Sequence, residues 1–240
     1  MKFQDNFSET NLIFSQDVEF ILYDENNANE IECFCVHFPT FKNCYFDYKF
    51  QFFLHIINSP LENITKNLKN IDTITTKYSL FKNILAFPDA NEFYYKIIYY
   101  ALHLIIPQGL YIDKMQWKIC GYDFSQELFN RIIDLILVAT EHKQLHELNI
   151  IDPKMREMQE RINKIKKTGQ NIQSEHSFIN SYMILTYEFN YTPEQILNMT
   201  MYCMNQILKY TSKSINYKIS LIGAGNGLSK KVHFITEKGR

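Results

Sequence analysis

Residues Tyr191 to Tyr210 read YTPEQILNMTMYCMNQILKY and hold two helix starts in succession. Thr192 can accept a hydrogen bond at an N-cap, Pro193 suits the first helical position where no backbone donor is needed, and Gln195 stands at capping-box spacing from Thr192. A helix is therefore expected to begin at Pro193. Asn198-Met199-Thr200 breaks it, because Thr200 can cap again and Met201, Met204, Ile207, Leu208 and Thr211 recur at helical spacing. A second, longer helix should follow at a sharp angle. Upstream, Phe178, Tyr182, Leu185 and Phe189 form an apolar stripe that stops at Asn190, a residue tolerant of the left-handed cap conformation. Three helices can close a small bundle.

Working back from that bundle, Asp152-Pro153 opens the polar stretch KMREMQERINKIKKTGQ, in which Met155, Met158, Ile162 and Ile165 are spaced as on a thin helix. Before it, Lys114 to Cys120 alternates as a strand does, Gly121 supplies a turn, and Asp123 or Ser125 can cap a helix carrying Phe129, Ile132, Ile133, Ile136 and Leu137. In the first half, Val18 to Tyr23 and Ile31 to Phe38 are apolar segments around a polar run, which suits a hairpin. Phe34, Val36 and Phe38 share one face of the second segment. Tyr45 to Ile57 is aromatic and fits either a helix or a buried strand. Leu61, Ile64, Leu68 and Ile71 predict a helix over Leu61 to Ile74, and the apolar run from about Ala90 to Ile106 predicts another, ended by Pro107.

The expected fold is mainly α with a small β contribution (α+β). Four segments follow: an aromatic-rich α+β domain over 1–110, a strand-turn-helix segment over 111–152, a charged linker or helix over 153–173, and a C-terminal helical bundle with a basic tail over 174–240. The 240 residues are 46% hydrophobic, enough to bury a sizeable core. A formal net charge of -1 offers no global attraction to nucleic acid or to an anionic membrane. The apolar run at Phe93 to Ile106 carries Lys96 and His103 and is shorter than the roughly 20 residues of a membrane-spanning helix. Five cysteines and the N-terminal sequence MKFQDNFSET fit a cytosolic protein with reduced thiols.

Cys33, Cys35, His37 and Cys44 offer zinc-binding atoms, but ligands two apart on a strand stand too far apart for one ion without a bulge. Buried free thiols are the simpler expectation. His142 and His146 are four apart, yet Lys143 occupies the position where a zinc protease needs Glu. Gly223, Gly225 and Gly227 invite a phosphate loop; Leu228 and Ser229 stand where the Lys and Ser or Thr should be, so helix termination is expected instead. No nucleophile elbow or other local catalytic signature occurs, and neither a catalytic residue nor a cofactor or metal is assigned.

Two capped helices in succession also resemble a helix-turn-helix, with Lys209, Lys213, Lys218, Lys230 and Lys231 as its phosphate contacts. The start of the second helix, Met201 to Asn205, lacks the Arg and Lys that usually read DNA. DNA binding is the alternative reading.

Trp117 to Phe124 leading into Phe129 to Leu137, then Asp152-Pro153, then Phe189 to Tyr202, and finally Val232-His233-Phe234 resemble a family of small tailed-bacteriophage proteins. The resemblance spans roughly Trp117 to Ile235 and is most specific at Tyr191 to Tyr202. It implies a tail-assembly chaperone or related morphogenesis protein. Such a protein is non-catalytic, works in the cytoplasm of the infected host, and has tape-measure and tail-tube proteins as partners. A holder of helical tape-measure segments needs an adaptable apolar surface. Met199, Met201 and Met204, beside Tyr202 and Tyr210, are the candidates for that surface, with packing inside the bundle as the competing expectation. Homo-oligomerisation, a virion role and a role against host defence stay open.

Overall fold

Val18, Phe20 and Leu22 alternate with more accessible neighbours, and a strand with that pattern buries one face. The computed structural model describes residues 2–23, 30–66, 68, 74–108, 110–113, 116–143, 182–187 and 189–225. It has the mainly α, α+β architecture that the periodicities predict. Strands β1 (Lys2–Asp5), β2 (Val18–Tyr23) and β3 (Glu30–Val36) make an antiparallel sheet in that order, with helix α1 (Glu9–Ile13) between the first two. The register sets Val18 opposite Val36 and Phe20 opposite Phe34. The two Phe rings stack at 5.3 Å, and all four side chains are buried. Burying each such side chain is worth roughly 1.5–3 kcal/mol relative to leaving it exposed, so this face anchors the sheet.

The ambiguous aromatic stretch resolves as helices α2 (Phe41–Phe46) and α3 (Tyr48–Asn58). Asp47 decides between helix and strand: its carboxylate accepts from the backbone N–H groups of Lys49 and Phe50 at 3.0 and 3.2 Å, which caps α3. Phe50, Phe53, Leu54, Ile56 and Ile57 then line the buried side of α3. Helix α4 covers only Leu61–Thr65, shorter than the expected Leu61 to Ile74. A five-residue helix carries few of its own hydrogen bonds, and the Thr65 hydroxyl bonds back to the Leu61 carbonyl at 3.1 Å, a contact that disfavours continuation. Leu68 is still buried, though outside a helix.

Helices α5 (Lys77–Ala86) and α6 (Glu92–Ile105) complete the first half, joined by a 3-10 turn at Pro88–Ala90. Strands β4 (Leu110–Asp113), β5 (Gln116–Ile119) and β6 (Tyr122–Asp123) form a second antiparallel sheet. Cys120 and Gly121 make its tight turn, both with positive φ (50° and 86°), the pattern of the hairpin turn that favours Gly. Ser125 caps α7 (Gln126–Ala139) by accepting from Leu128 N–H at 3.2 Å. Both flanks of α7 are buried, and its Arg131 reaches β1, where Nε and Nη2 donate to the Asp5 carboxylate at 2.8 and 3.0 Å.

One apolar core runs from Leu12 through α3, α5, α6, the second sheet and α7 to Tyr202, crossing residue 110 without a break. Among the described residues no helix is long and apolar enough to cross a membrane. The charged linker at 153–173 lies outside the described residues.

Candidate functional site

Asn190 has a φ of 55° and ends the helical segment 182–187 and 189, with Tyr191 N–H donating to the Leu185 carbonyl. The Thr192 and Gln195 capping box is complete in both directions, at 3.3 and 2.8 Å, and starts helix α8 (Pro193–Leu197). Helix α9 (Met201–Gly225) follows the break. Its cap is Thr200, whose Oγ1 accepts from Cys203 N–H at 3.0 Å. The same hydroxyl donates to the Leu12 carbonyl at 2.7 Å, and Thr200 N–H donates to Ser15 Oγ at 3.2 Å. Phe41 N–H donates to the Met199 carbonyl at 2.6 Å, and Thr40 bridges to Thr200 as an isolated β pair. Met199-Thr200 is thus pinned between the end of α1 and the start of α2. Tyr202 adds a hydrogen bond from its hydroxyl to Glu9 Oε1 at 2.5 Å. Burial and that bond raise the Tyr202 pKa above its ordinary value.

Of the residues expected to form an open apolar surface, Met199, Tyr202 and Met204 are buried and Met201 is half-buried. Tyr210 alone is well exposed, at 67%. The correction has a physical cause: the first turn of α9 packs onto α1 and α2, where Met204 joins Phe41, Leu185 and Ile196 in a second apolar cluster. Tyr182, Tyr191, Leu197, Met201, Ile207 and Leu208 pack around that cluster. The elements meeting there also carry exposed Tyr45, Phe46, Met183, Tyr187, Phe189 and Tyr210.

A recognition-helix role needs the first turn of α9 open to a groove. Tyr202, Cys203 and Met204 are instead buried, which removes that part of the DNA-binding reading. Lys209 is exposed, and Lys213 lies 5.7 Å from the Tyr210 ring centroid. Lys218 belongs to α9, whereas Lys230 and Lys231 lie outside the described residues. Helix α9 reaches Gly225, so Gly223 and Gly225 are its last turn. His37 Nδ1 pairs with Asp17 at 2.8 Å. Among the described residues no three His, Cys, Asp or Glu side chains are grouped to hold a metal ion. His146 lies outside them.

A cavity of about 240 Å³ is lined by Leu85 of α5, Tyr95 and Tyr99 of α6, Leu110 and Tyr111 of β4, and Trp117 of β5. Tyr95 and Tyr99 stack on each other at 5.5 Å, one helical turn apart. Trp117 is 2% exposed and is held by the rings of Tyr78, Phe124 and Phe129. Its buried Nε1 finds no hydrogen-bond partner among the described residues. Sequence reasoning missed this site. The Tyr95 and Tyr99 spacing places them on one helix face, but nothing in the sequence brings β4 and β5 against that face.

A scan against protein-family models and searches of curated proteins and of solved structures find no match to the chain.

Proposed function

We propose that the protein is non-catalytic and acts through protein contacts, as a phage tail-assembly chaperone that keeps a tape-measure segment soluble. The observation that carries this reading is the set of exposed apolar side chains on α2, the 182–187 helix and α9, around the cluster that buries Phe41, Leu185, Ile196 and Met204. Exposed aromatics gathered beside partly buried apolar groups are a recurrent property of surfaces that bind other proteins. The resemblance at Tyr191 to Tyr202 supplies the partner class: an apolar-striped helical chain, laid against an aromatic and Met-bearing face. Because Met199, Tyr202 and Met204 are committed to the internal junction, the contact surface of this reading shifts to Met183, Tyr187, Tyr210 and Phe46.

Co-expression with the tape-measure and tail-tube proteins, followed by pull-down at low and high salt, tests it. Retention of a soluble tape measure that survives high salt is the expected result, because apolar contacts are not screened. A double Tyr187→Ser and Tyr210→Ser variant with unchanged melting should release the partner. Capture of nucleic acid alone, lost as salt rises, would sink the reading in favour of DNA binding.

A further inference from the structure

Helices α3 and α6 pack side by side. The Tyr100 hydroxyl, late in α6, donates to the Asp47 carboxylate at the start of α3, whereas Phe93, early in α6, meets Phe52 in mid α3 with ring centroids 5.1 Å apart. The two helices are therefore antiparallel. Their inner sides join the main core through residues such as Phe50, Phe53, Ile97 and Ile98, yet the outer side is aromatic as well. Tyr48 is 70% and Phe93 57% exposed, and half-buried Phe52 and Tyr94 both meet Phe93 edge to face. Aromatic side chains are enriched at the centres of protein interfaces, and exposed apolar patches of this kind mark docking surfaces. This face lies on different helices from the Tyr187 and Tyr210 surface and does not rest on that reading.

Charge decides what covers it. Glu92 and Lys96 stand one turn apart on the exposed side of α6, joined at 2.5 Å, with their side chains 68% and 66% exposed. At the other end of the helix pair, Lys49 lies beside Asp47, with its ammonium 5.0 Å from the Tyr100 ring centroid. Each end thus pairs one charge of either sign, and from these four a uniformly acidic or basic partner gains no net attraction. A second copy does. Positions 92 and 96 are equidistant from Tyr94, so a two-fold axis near that residue runs α6 antiparallel to its counterpart and sets Glu92 of each copy opposite Lys96 of the other. Each internal ion pair then acquires a second one across the axis, whereas a parallel arrangement would bring like charges together.

We propose that the protein forms a two-fold symmetric homodimer in which the outer faces of α3 and α6 from two copies meet as four packed helices, with Phe52 and Phe93 at the centre and Glu92 and Lys96 paired across the axis. Antiparallel helix pairs stacked in this way are a common solution to burying one apolar face on each pair.

Sedimentation velocity of the full chain over about 1 μM to 1 mM tests it. A species of twice the monomer mass should grow with concentration. Phe93→Ser, at an exposed position, should weaken association roughly thirtyfold. Glu92→Lys and Lys96→Glu should each weaken it about tenfold by setting like charges across the axis. Mixed one to one, these two variants should recover the dimer, because each then meets the opposite charge. An unchanged circular dichroism spectrum and melting temperature separate these losses from unfolding. The Tyr187→Ser and Tyr210→Ser double variant should stay dimeric, which keeps this test distinct from that of the tape-measure surface. A monomer at every concentration overturns the dimer and leaves the face to a different protein. Dimerisation indifferent to Phe93→Ser overturns the choice of face, and charge variants that fail to recover on mixing overturn the two-fold arrangement.

Discussion

Thr200 performs three tasks with two groups: its hydroxyl caps α9 and holds the Leu12 carbonyl, and its N–H holds Ser15 Oγ. It is fully buried, so removing the hydroxyl leaves a backbone donor and a carbonyl unpaired away from water. Thr200→Val, close in shape, should therefore cost about 1–3 kcal/mol in urea unfolding, whereas Thr200→Ser should recover most of that loss. Equal stability of the two variants would remove the hydroxyl from the account.

Lys77 is a second case at this scale. Its ammonium donates to the Ile56 carbonyl at 2.5 Å and to the Ser59 carbonyl, closing the C-terminal end of α3. Burial lowers its pKa from 10.5 to about 8, with Glu62 opposing the shift. Between those values the unfolded chain holds a proton that the folded one has released, so stability rises with pH from about 8. Cys44 works the other way: desolvation lifts its thiol from 9.0 to about 12, and the folded state keeps a proton that the unfolded state loses above pH 9. Tyr100, raised from 10.0 to about 12 chiefly by its bond to Asp47, adds to that loss above pH 10. The melting temperature should climb between pH 8 and 9, level off, and fall beyond pH 10. Lys77→Met should lack the climb; its persistence in that variant would assign it to another group.

At the scale of elements, the join between α7 and β1 is the most testable. The Asp5 carboxylate and Arg131 meet with two hydrogen bonds while 11% and 25% exposed, and the guanidinium lies 5.6 Å from the Phe7 ring centroid. Arg131→Met leaves a largely buried carboxylate behind and should cost roughly 1.5–3 kcal/mol. Amide exchange should quicken in Lys2–Asp5 first, because among the described residues β1 pairs only with β2; an unchanged rate there would show that the ladder holds β1 without the ion pair.

Local chemistry was legible at this scale wherever it was self-contained. The Thr192 and Gln195 box, the Ser125 cap, the positive φ of Asn190 and Gly121, and the alternation of Phe34 and Val36 all follow from residues a few positions apart. Helix α5 was not anticipated, although Leu80, Phe81, Ile84 and Leu85 carry a helical stripe; the expected helix over Leu61 to Ile74 corresponds to α4. Nor were strands β1 and β4, being four residues each and defined by their partners. The same limit hid the candidate sites. Thr200 reads as a cap from sequence, yet its partner Leu12 is 188 positions away, and Trp117 of β5, hydrogen-bonded to β4, lines one cavity with Tyr99 of α6.

For the whole molecule, the consequence is that the C-terminal helices share their stability with the N-terminal unit. Tyr202 belongs to the main core, Met199 and Thr200 are bonded to α1 and α2, and Met204 packs with Phe41. A chain ended at Asn190 would lose all of these contacts while keeping β1 to β3, α3, α5, α6 and α7. Its urea midpoint should fall, and amide exchange should accelerate in Glu9–Ile13 and Phe41–Phe46, the elements that contact α9 and α8. The β2–β3 ladder should stay protected, since its buried face is covered by the main core. Were α1 and α2 equally protected in the shortened chain, the C-terminal helices would have to act as a unit of their own, and the exposed face around Tyr187 and Tyr210 could then move without disturbing the rest. Faster exchange confined to α1 and α2 would instead mean that a partner bound as proposed at that face pulls directly on the Thr200 junction, which would couple its binding to the order of α1 and α2.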